Sequence, residues 1–341
     1  KGLEAQHEVE YARNQIAGAL GCKAQEIVFT SGATESSNLA IRGAAAAYGR
    51  KRKKIGASAV EHASVKAPLS YLKTLGFTVV TVPPAADGEY HTEDFLREID
   101  SSVCLVSMML VNNETGCVFP VRETAALLRE KNSPALLHCD AVQGFLKVPC
   151  EPEIWGVDMM SLSAHKLGGP KGVGALYISE RFRNVRPLLP GGGQERGLRS
   201  GTEATAQIAG FAKAVELRLT DYDAKIAHMA ALRDYCRERL LSIPGMVPVA
   251  AGTAPHILAM SLAGYPSANI VTDLGAQGIC ISAGSACHQG KASHVVSALG
   301  LDKRTAAGVI RISFSPENTE TDVDALYEAL KAHQAARFPM L

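Results

Sequence analysis

Over the first 180 residues, short apolar runs rich in β-branched residues alternate with stretches of helical periodicity, and this alternation narrows the fold more than any other feature. The runs at 26–30, 54–58, 78–82, 103–110, 135–139, 158–161 and 174–178 read as strands, and 34–48, 64–75 and 121–131 as helices. Strands and helices in turn, with short connections, predict an α/β fold: a mostly parallel seven-stranded sheet covered by helices on both faces. Such sheets bind ligands beyond the carboxyl ends of their strands, so the residues just after each run are the first candidates for chemistry.

The pattern changes after residue 190. A glycine-rich break, Pro190-Gly191-Gly192-Gly193-Gln194, leads into a long helical stretch at 203–241, then strands at 257–262 and 308–314 and helices at 268–277 and 322–335. This predicts a smaller α+β C-terminal domain, and 341 residues exceed what a single core usually organises. We therefore expect a large domain at 1–220 and a small one at 221–341. The chain opens on helical periodicity (Leu3, Val9, Ile16, Leu20) without Met, so a preceding N-terminal segment is expected.

Composition removes several function classes. Lys+Arg 35 against Asp+Glu 34 leaves +1, which gives no field to steer nucleic acid or an anionic membrane. The run Arg50-Lys51-Arg52-Lys53-Lys54 reads as a solvated loop. No apolar run is long enough to span a bilayer, and Lys1-Gly2-Leu3-Glu4 does not open a signal peptide. Eight cysteines without a Cys-x-x-Cys pair or metal-like spacing predict a reducing, cytoplasmic setting and no metal. Cys104, Cys139 and Cys280 lie in apolar strand-like contexts and are expected in the core.

Three features carry chemistry together. Ser31-Gly32-Ala33-Thr34-Glu35 follows a strand and opens a helix, placing backbone N–H groups and a hydroxyl at a helix N-terminus, an anion site or an ordinary capped start. Asp140 ends a buried strand, where a carboxylate needs a cation or a protonated ring nitrogen. Lys166 stands between an apolar run and a glycine-rich turn, and a desolvated lysine amine is suited to forming a Schiff base. A phosphate cradle, a partner for a pyridine nitrogen and an amine that traps an aldehyde are the three parts pyridoxal 5'-phosphate requires.

The motifs Thr30-Ser31-Gly32-Ala33-Thr34-Glu35-Ser36, Val60-Glu61-His62, Val111-Asn112-Asn113-Glu114-Thr115-Gly116, His138-Cys139-Asp140-Ala141-Val142-Gln143, Ser163-Ala164-His165-Lys166, Arg199-Ser200-Gly201-Thr202 and Gly284-Ser285-Ala286-Cys287 span nearly the whole chain. Together they resemble the cysteine desulfurases of the class V, fold type I pyridoxal-phosphate superfamily. The resemblance implies that Lys166 holds the cofactor, Asp140 pairs with its pyridine nitrogen and Gln143 contacts its phenolic oxygen. By the same resemblance His62 stacks on the ring and helps in proton transfer, and Ala33, Thr34, Ser163 and His165 hold the phosphate. Thr202 reaches the phosphate of a neighbouring subunit, which implies a homodimer. Asn113 and Arg311 bind the substrate carboxylate. Arg311 within Val309-Ile310-Arg311-Ile312-Ser313 also asks for an anionic partner on its own account, a bound carboxylate or a structural salt bridge.

Cys287 is the expected sulfur acceptor. It lies in a small-residue loop suited to motion, with His288 and Lys291 nearby to raise its thiolate fraction. The implied reaction removes sulfur from L-cysteine, leaving L-alanine and a Cys287 persulfide for an iron–sulfur scaffold or a tRNA-thiolation protein. Gly-Ser-Ala-Cys resembles the long-loop group, and nothing matches that family's Asp-Asn-Ala-Ala-Thr-Thr-like opening strand. A selenocysteine lyase or other class V reaction, and a non-catalytic cofactor-binding or sulfur-relay protein, are the alternatives.

Overall fold

Ile27–Thr30 (β1), Val103–Ser107 (β4), Met159–Ser163 (β6) and Gly174–Ile178 (β7) are buried at every position. Continuous burial, rather than alternation, is what a sheet covered on both faces imposes. With Lys54–Ser58 (β2), Thr78–Val82 (β3) and Leu136–Asp140 (β5) they form one sheet in the order β1-β7-β6-β5-β4-β2-β3. Pairings among β3, β2, β4, β5 and β6 are parallel, and only β7 runs against its neighbours β6 and β1. In this computed structural model, residues 1–182, 184–284 and 293–340 are described.

Helices Gly2–Leu20 (α1), Ala33–Tyr48 (α2), Ala63–Thr74 (α3), Thr92–Leu96 (α4), Val121–Glu130 (α5), Pro152–Trp155 (α6) and Thr205–Leu219 (α7) accompany the sheet. The apolar face of α2 (Leu39, Ile41, Ala44, Ala45) and of α3 (Val65, Leu69, Leu72) share a core with Val28, Ile55, Leu105, Met159 and Leu176 from the strands. Burying one such Leu or Ile contributes about 1.5–3 kcal/mol, so this layer dominates the stability of the sheet.

The chain divides into two units, Lys1–Val82 with Tyr90–Val111 and Phe119–Thr220, and Pro83–Glu89 with Asn112–Val118 and Asp221–Leu341. Two short segments early in the sequence therefore belong to the second unit. They are fixed there by Ala251 N–H donating to Asp87 O (3.0 Å) and Ala254 N–H to Gly116 O (2.9 Å). Its sheet joins Met246–Pro248 (β8), Ile257–Leu262 (β9), Ser282–Ala283 (β10) and Val309–Ser313 (β11), all antiparallel, in the order β10-β11-β9-β8. Tyr222–Leu241 (α8), Ser267–Gly275 (α9), His294–Ala298 (α10), Lys303–Ala307 (α11) and Glu320–Ala336 (α12) complete it. Met229, Leu232, Cys236, Ile270, Leu274, Leu326 and Leu330 close over Leu258, Met260, Ile310 and Ile312.

The single helix expected at 203–241 is two helices. Thr220 is extended and Asp221 left-handed (φ 51), which ends α7 and starts α8. Asp tolerates that conformation better than most residues, and no Gly or Pro marks the break. The strand expected to reach 110 ends at Ser107, although Met108 and Leu110 still donate to the His138 and Asp140 carbonyls. Cys104 and Cys139 are buried, but Cys280 is exposed: the strand after it, β10, spans only two residues, and Cys280 stands outside it.

Candidate active site

Two of the expected residues, Asp140 and Ser163, sit at strand ends of the large sheet. Thr30 and Ser163 are both opposite Gly174, so the ends of β1, β7 and β6 form one row. A Cβ on Gly174 would lie 2.7 Å from Gly32 Cα and 2.6 Å from the Leu162 carbonyl oxygen. Glycine there lets the β1–α2 turn rest against the end of β6.

At that turn Gly32 caps α2 at φ 148 with no side-chain cap. The first-turn N–H groups at Ala33 and Thr34 have no acceptor within the helix. Across the row, Ser163 Oγ shares a hydrogen bond with His165 Nδ1 (2.7 Å). Burial, together with the charges of Lys166, Lys147 and Lys171, keeps the His165 ring below its ordinary pKa. A cluster of cations beside an uncapped helix N-terminus has the electrostatics of a phosphate site.

Asp140 is the last residue of β5, opposite Ser161, and its carboxylate accepts from Val142 N–H (3.1 Å). Burial raises its pKa, against the Val142 hydrogen bond, the charge of His62, the Ser64 hydroxyl and the charge of Lys166. His62 and Lys166 are thus each close enough for their charges to act on Asp140. His62 caps α3, its Nδ1 accepting from Ser64 N–H (3.1 Å), and its side chain is exposed. That acceptor role puts the ring proton on Nε2 when His62 is neutral.

Behind Asp140 lies a buried polar chain. His138 Nδ1 bonds Ser107 Oγ and its Nε2 bonds Ser161 Oγ, each at 2.9 Å, and Ser37 Oγ donates to Ser161 Oγ at 3.2 Å. Burial drives the His138 pKa down to about 3, so the ring is neutral. Fully buried Glu61 takes Ser58 Oγ (2.7 Å) and Met109 N–H (2.8 Å) on one carboxylate oxygen. Burial pushes its pKa up to about 8, the Ser58 hydrogen bond opposes that rise, and the Asp140 charge adds to it.

The desolvated lysine expected at position 166 is elsewhere. Lys166 lies on the short 3-10 turn Ala164–Leu167, which projects past the end of β6, and its side chain is exposed. Lys147 is the lysine taken out of water: it is 4% exposed. Burial, helped by Arg218 and Lys166, lowers its pKa to about 7. Its Nζ donates to Gln143 Oε1 at 3.4 Å. Sequence reasoning passed over Lys147 and Glu61. The available signals were a lysine between Phe145-Leu146 and Val148 and a glutamate directly after the apolar Ala59-Val60.

In the second unit, Asn112 Oδ1 accepts from Glu114 N–H and Thr115 N–H, both at 2.9 Å, and folds 112–117 into a tight loop. Gly116 turns it at φ 75 with its Cα so near β9 that a Cβ would sit 2.8 Å from the Ile257 carbonyl oxygen. This delivers Asn113 to Arg311 on β11, whose Nη1 donates to the Asn113 carbonyl (2.9 Å) and Nη2 to Ser282 Oγ (3.0 Å). Gly284 follows, its N–H donating to Val309 O (2.8 Å). Cys287, with Ser285, Ala286, His288 and Lys291, lies outside the described residues. Thr202 is exposed, three residues beyond Arg199, which pairs with Glu35 in the first turn of α2 (2.9 Å). Among the described residues no His, Cys, Asp and Glu gather into a metal site.

The family described as aminotransferase class-V matches residues 1–326. The chain belongs to that family, among its cysteine desulfurases. It is similar to the cysteine desulfurase IscS of Dictyoglomus turgidum, 37% identical over 97% of this chain and 84% of that protein. The mitochondrial cysteine desulfurase of Arabidopsis thaliana is 38% identical over 96% of this chain and 73% of its own length. A solved NifS-like protein superposes with a TM-score of 0.92 at 36% identity, covering 98% of this chain and 90% of that one. The large sheet with its helices and the smaller antiparallel sheet are thus the fold type I arrangement, and members of this family are pyridoxal-phosphate enzymes.

Proposed function

We propose that this desulfurase holds pyridoxal phosphate in the first unit and moves the sulfur of L-cysteine onto Cys287. The donor set fits the cofactor: an anion site at Ala33, Thr34, Ser163 and His165, a carboxylate at Asp140 and an amine at Lys166. The observation that carries the reading is that Asp140 responds to both His62 and Lys166. One carboxylate, one imidazole and one amine therefore share a neighbourhood at the carboxyl ends of β5 and β6.

The cofactor, when bound, supplies an electron sink for charge developing at the substrate Cα. Asp140 would hold a proton on the ring nitrogen, Gln143 would donate to the phenolic oxygen, and His62 would stack on the ring and help in proton transfer. Arg311 binds the substrate carboxylate with Asn113, since a guanidinium matches that group in two parallel hydrogen bonds. Lys166 removes the Cα proton. The Cys287 thiolate attacks the substrate sulfur: the carbon–sulfur bond breaks with its electron pair going to the substrate carbon, a sulfur–sulfur bond forms, and L-alanine leaves after Cβ takes up a proton and the Cα proton is restored. The persulfide is a reversible cap ready for an acceptor protein, an iron–sulfur scaffold or a tRNA-thiolation enzyme.

Exposed Thr202 reaches the phosphate held by a second copy, making the enzyme a homodimer. A reducing, cytoplasmic setting suits a catalytic thiol that has to stay free to attack. No helix among the described residues is long and apolar enough to cross a membrane.

Incubation with L-cysteine tests the reading, with alanine quantified and the persulfide located by mass spectrometry. The wild type forms alanine and carries the extra sulfur on Cys287, and Cys287→Ser loses sulfur delivery by at least about 100-fold while keeping the cofactor's visible absorbance. Undiminished delivery by Cys287→Ser sinks the assignment and favours a lyase that dispenses with the thiol.

A further inference from the structure

Lys147 is a charged residue type in a place where charge is costly, and the fold spends strain to put it there. The residue before it, Leu146, is left-handed at φ 53, a conformation that costs a leucine about 1–2 kcal/mol. Leu146 is itself 6% exposed, and its carbonyl is held by Arg218 Nε at 3.3 Å. Backbone strain of this kind persists where the surroundings over-determine it, and it clusters at functional sites.

The contact made inside is specific. Lys147 Nζ has only donors to offer while it is protonated and still donates when neutral, and it meets the oxygen of the Gln143 amide. An amide whose oxygen is engaged from behind must turn its NH2 group the other way. The two ends of an amide are nearly isosteric, so what holds one of them decides which faces forward, and Lys147 holds the oxygen. We propose that Lys147 is a positioning residue: it fixes the Gln143 amide so that the NH2 group, not the oxygen, faces the phenolic oxygen of the cofactor. This rests on the reading of Gln143 given above.

The charged and titratable groups around Lys147 are Arg218 from α7 and Lys166 and His165 from the turn after β6. All are cationic types and repel a second charge at Lys147. A donor that sheds its proton can fix the amide without adding to that repulsion. Arginine could not, since its guanidinium stays charged.

The test is a pH titration of the visible absorbance of the holoenzyme, which reports the ionisation of the bound cofactor whether or not turnover occurs. An NH2 group facing the phenolic oxygen favours its ionised form, so losing that orientation raises the midpoint. Lys147→Met is expected to raise it by about 0.5–1 pH unit, the worth of one hydrogen bond. Gln143→Leu shifts it by a similar amount, and adding Lys147→Met to Gln143→Leu produces no further shift. Lys147→Gln keeps a polar side chain in the pocket but stops short of Gln143, and it reads the same rise should the methionine variant not fold. A midpoint unchanged in Lys147→Met or Lys147→Gln, or shifts that add in the double variant, overturns the role. A wild type without any visible cofactor band overturns instead the cofactor reading beneath it.

Discussion

The two units present their candidate residues by different means. In the first, Asp140 and Ser163 end strands at the centre of a seven-stranded sheet, and a buried Ser-His-Ser chain and Glu61 lie behind them. In the second, Arg311 sits on β11 between a six-residue strand and a two-residue strand, reaching a carbonyl and a hydroxyl. The first arrangement sets exposed His62 and Lys166 in front of buried groups with displaced proton affinities. The second keeps its arginine half-buried, with one partner on a loop and the other on a two-residue strand. This division suits a cofactor that stays and a substrate that comes and goes, and it predicts that damage to each unit has its own kinetic signature.

The most severe way to break the first arrangement is Gly174→Val. Its side chain would meet the Gly32 backbone and the Leu162 carbonyl, neither of which can move away cheaply, so we expect a loss of about 3 kcal/mol or more. Denaturant unfolding measures the loss, and cofactor content measures the separation of the α2 turn from Ser163. The counterpart in the second unit is Arg311→Lys, which removes the two-pronged geometry and leaves the sheet alone. It is expected to raise KM for cysteine by about 10–100-fold with unchanged cofactor absorbance. Should Arg311→Lys shed cofactor as Gly174→Val does, the two sites are not separable.

The sheet and its active edge were legible because register does most of the positioning: once the strands at 26–30, 135–139 and 158–161 are recognised, Thr30, Asp140 and Ser163 have little freedom. Lys147, Glu61 and the status of Lys166 were not. Burial of a charged group depends on what folds over it, and the Arg218 side chain that crowds Lys147 arrives from 71 positions away in the sequence. The Thr220–Asp221 break escaped because its left-handed residue is not a glycine. Cys280 escaped because an apolar run looks alike whether it pairs as strand or stops short of it.

Proton linkage distinguishes the two regions further: among the described residues, the groups displaced to values between about pH 3 and about pH 8, Glu61, His138 and Lys147, lie in the first unit. Glu61 binds its proton more tightly folded than unfolded, so its contribution falls as pH rises from its ordinary value of 4.5 to about 8. Lys147 works in the opposite direction: the unfolded chain holds the proton up to about 10.5 and the folded one only to about 7, so stability climbs with pH between those limits. His138 does the same lower down, between about 3 and its ordinary 6.5. Urea unfolding of the cofactor-free protein across pH 3–10 resolves these windows. Relative to the wild type, Glu61→Gln is expected to gain stability as pH rises from 5 to 8, where the Glu61 loss offsets the gains from His138 and Lys147, and Lys147→Met is expected to lose the rise from 8 to 10. Identical pH profiles for wild type and Glu61→Gln contradict a protonated, buried Glu61.

The smallest effect we expect is at the far anchor of the segment that bears Cys287. Ser293 caps α10, its Oγ accepting from Val295 N–H at 3.1 Å, and α10 is the first helix after that segment. Replacing it with alanine forfeits the cap, about 0.5–2 kcal/mol in surveys of such changes, and a five-residue helix places it near the low end. Because Ser293 and α10 belong to the second unit, cofactor content and its pH titration are expected to stay as in the wild type. The persulfide step, read by single-turnover sulfur delivery, is the only one that passes through the segment, so it alone slows, by about 2–5-fold if the lost cap is felt there in full. A Ser293→Ala enzyme with altered cofactor absorbance would mean that this cap is coupled to the cofactor residues of the first unit and that damage to the two units does not separate kinetically.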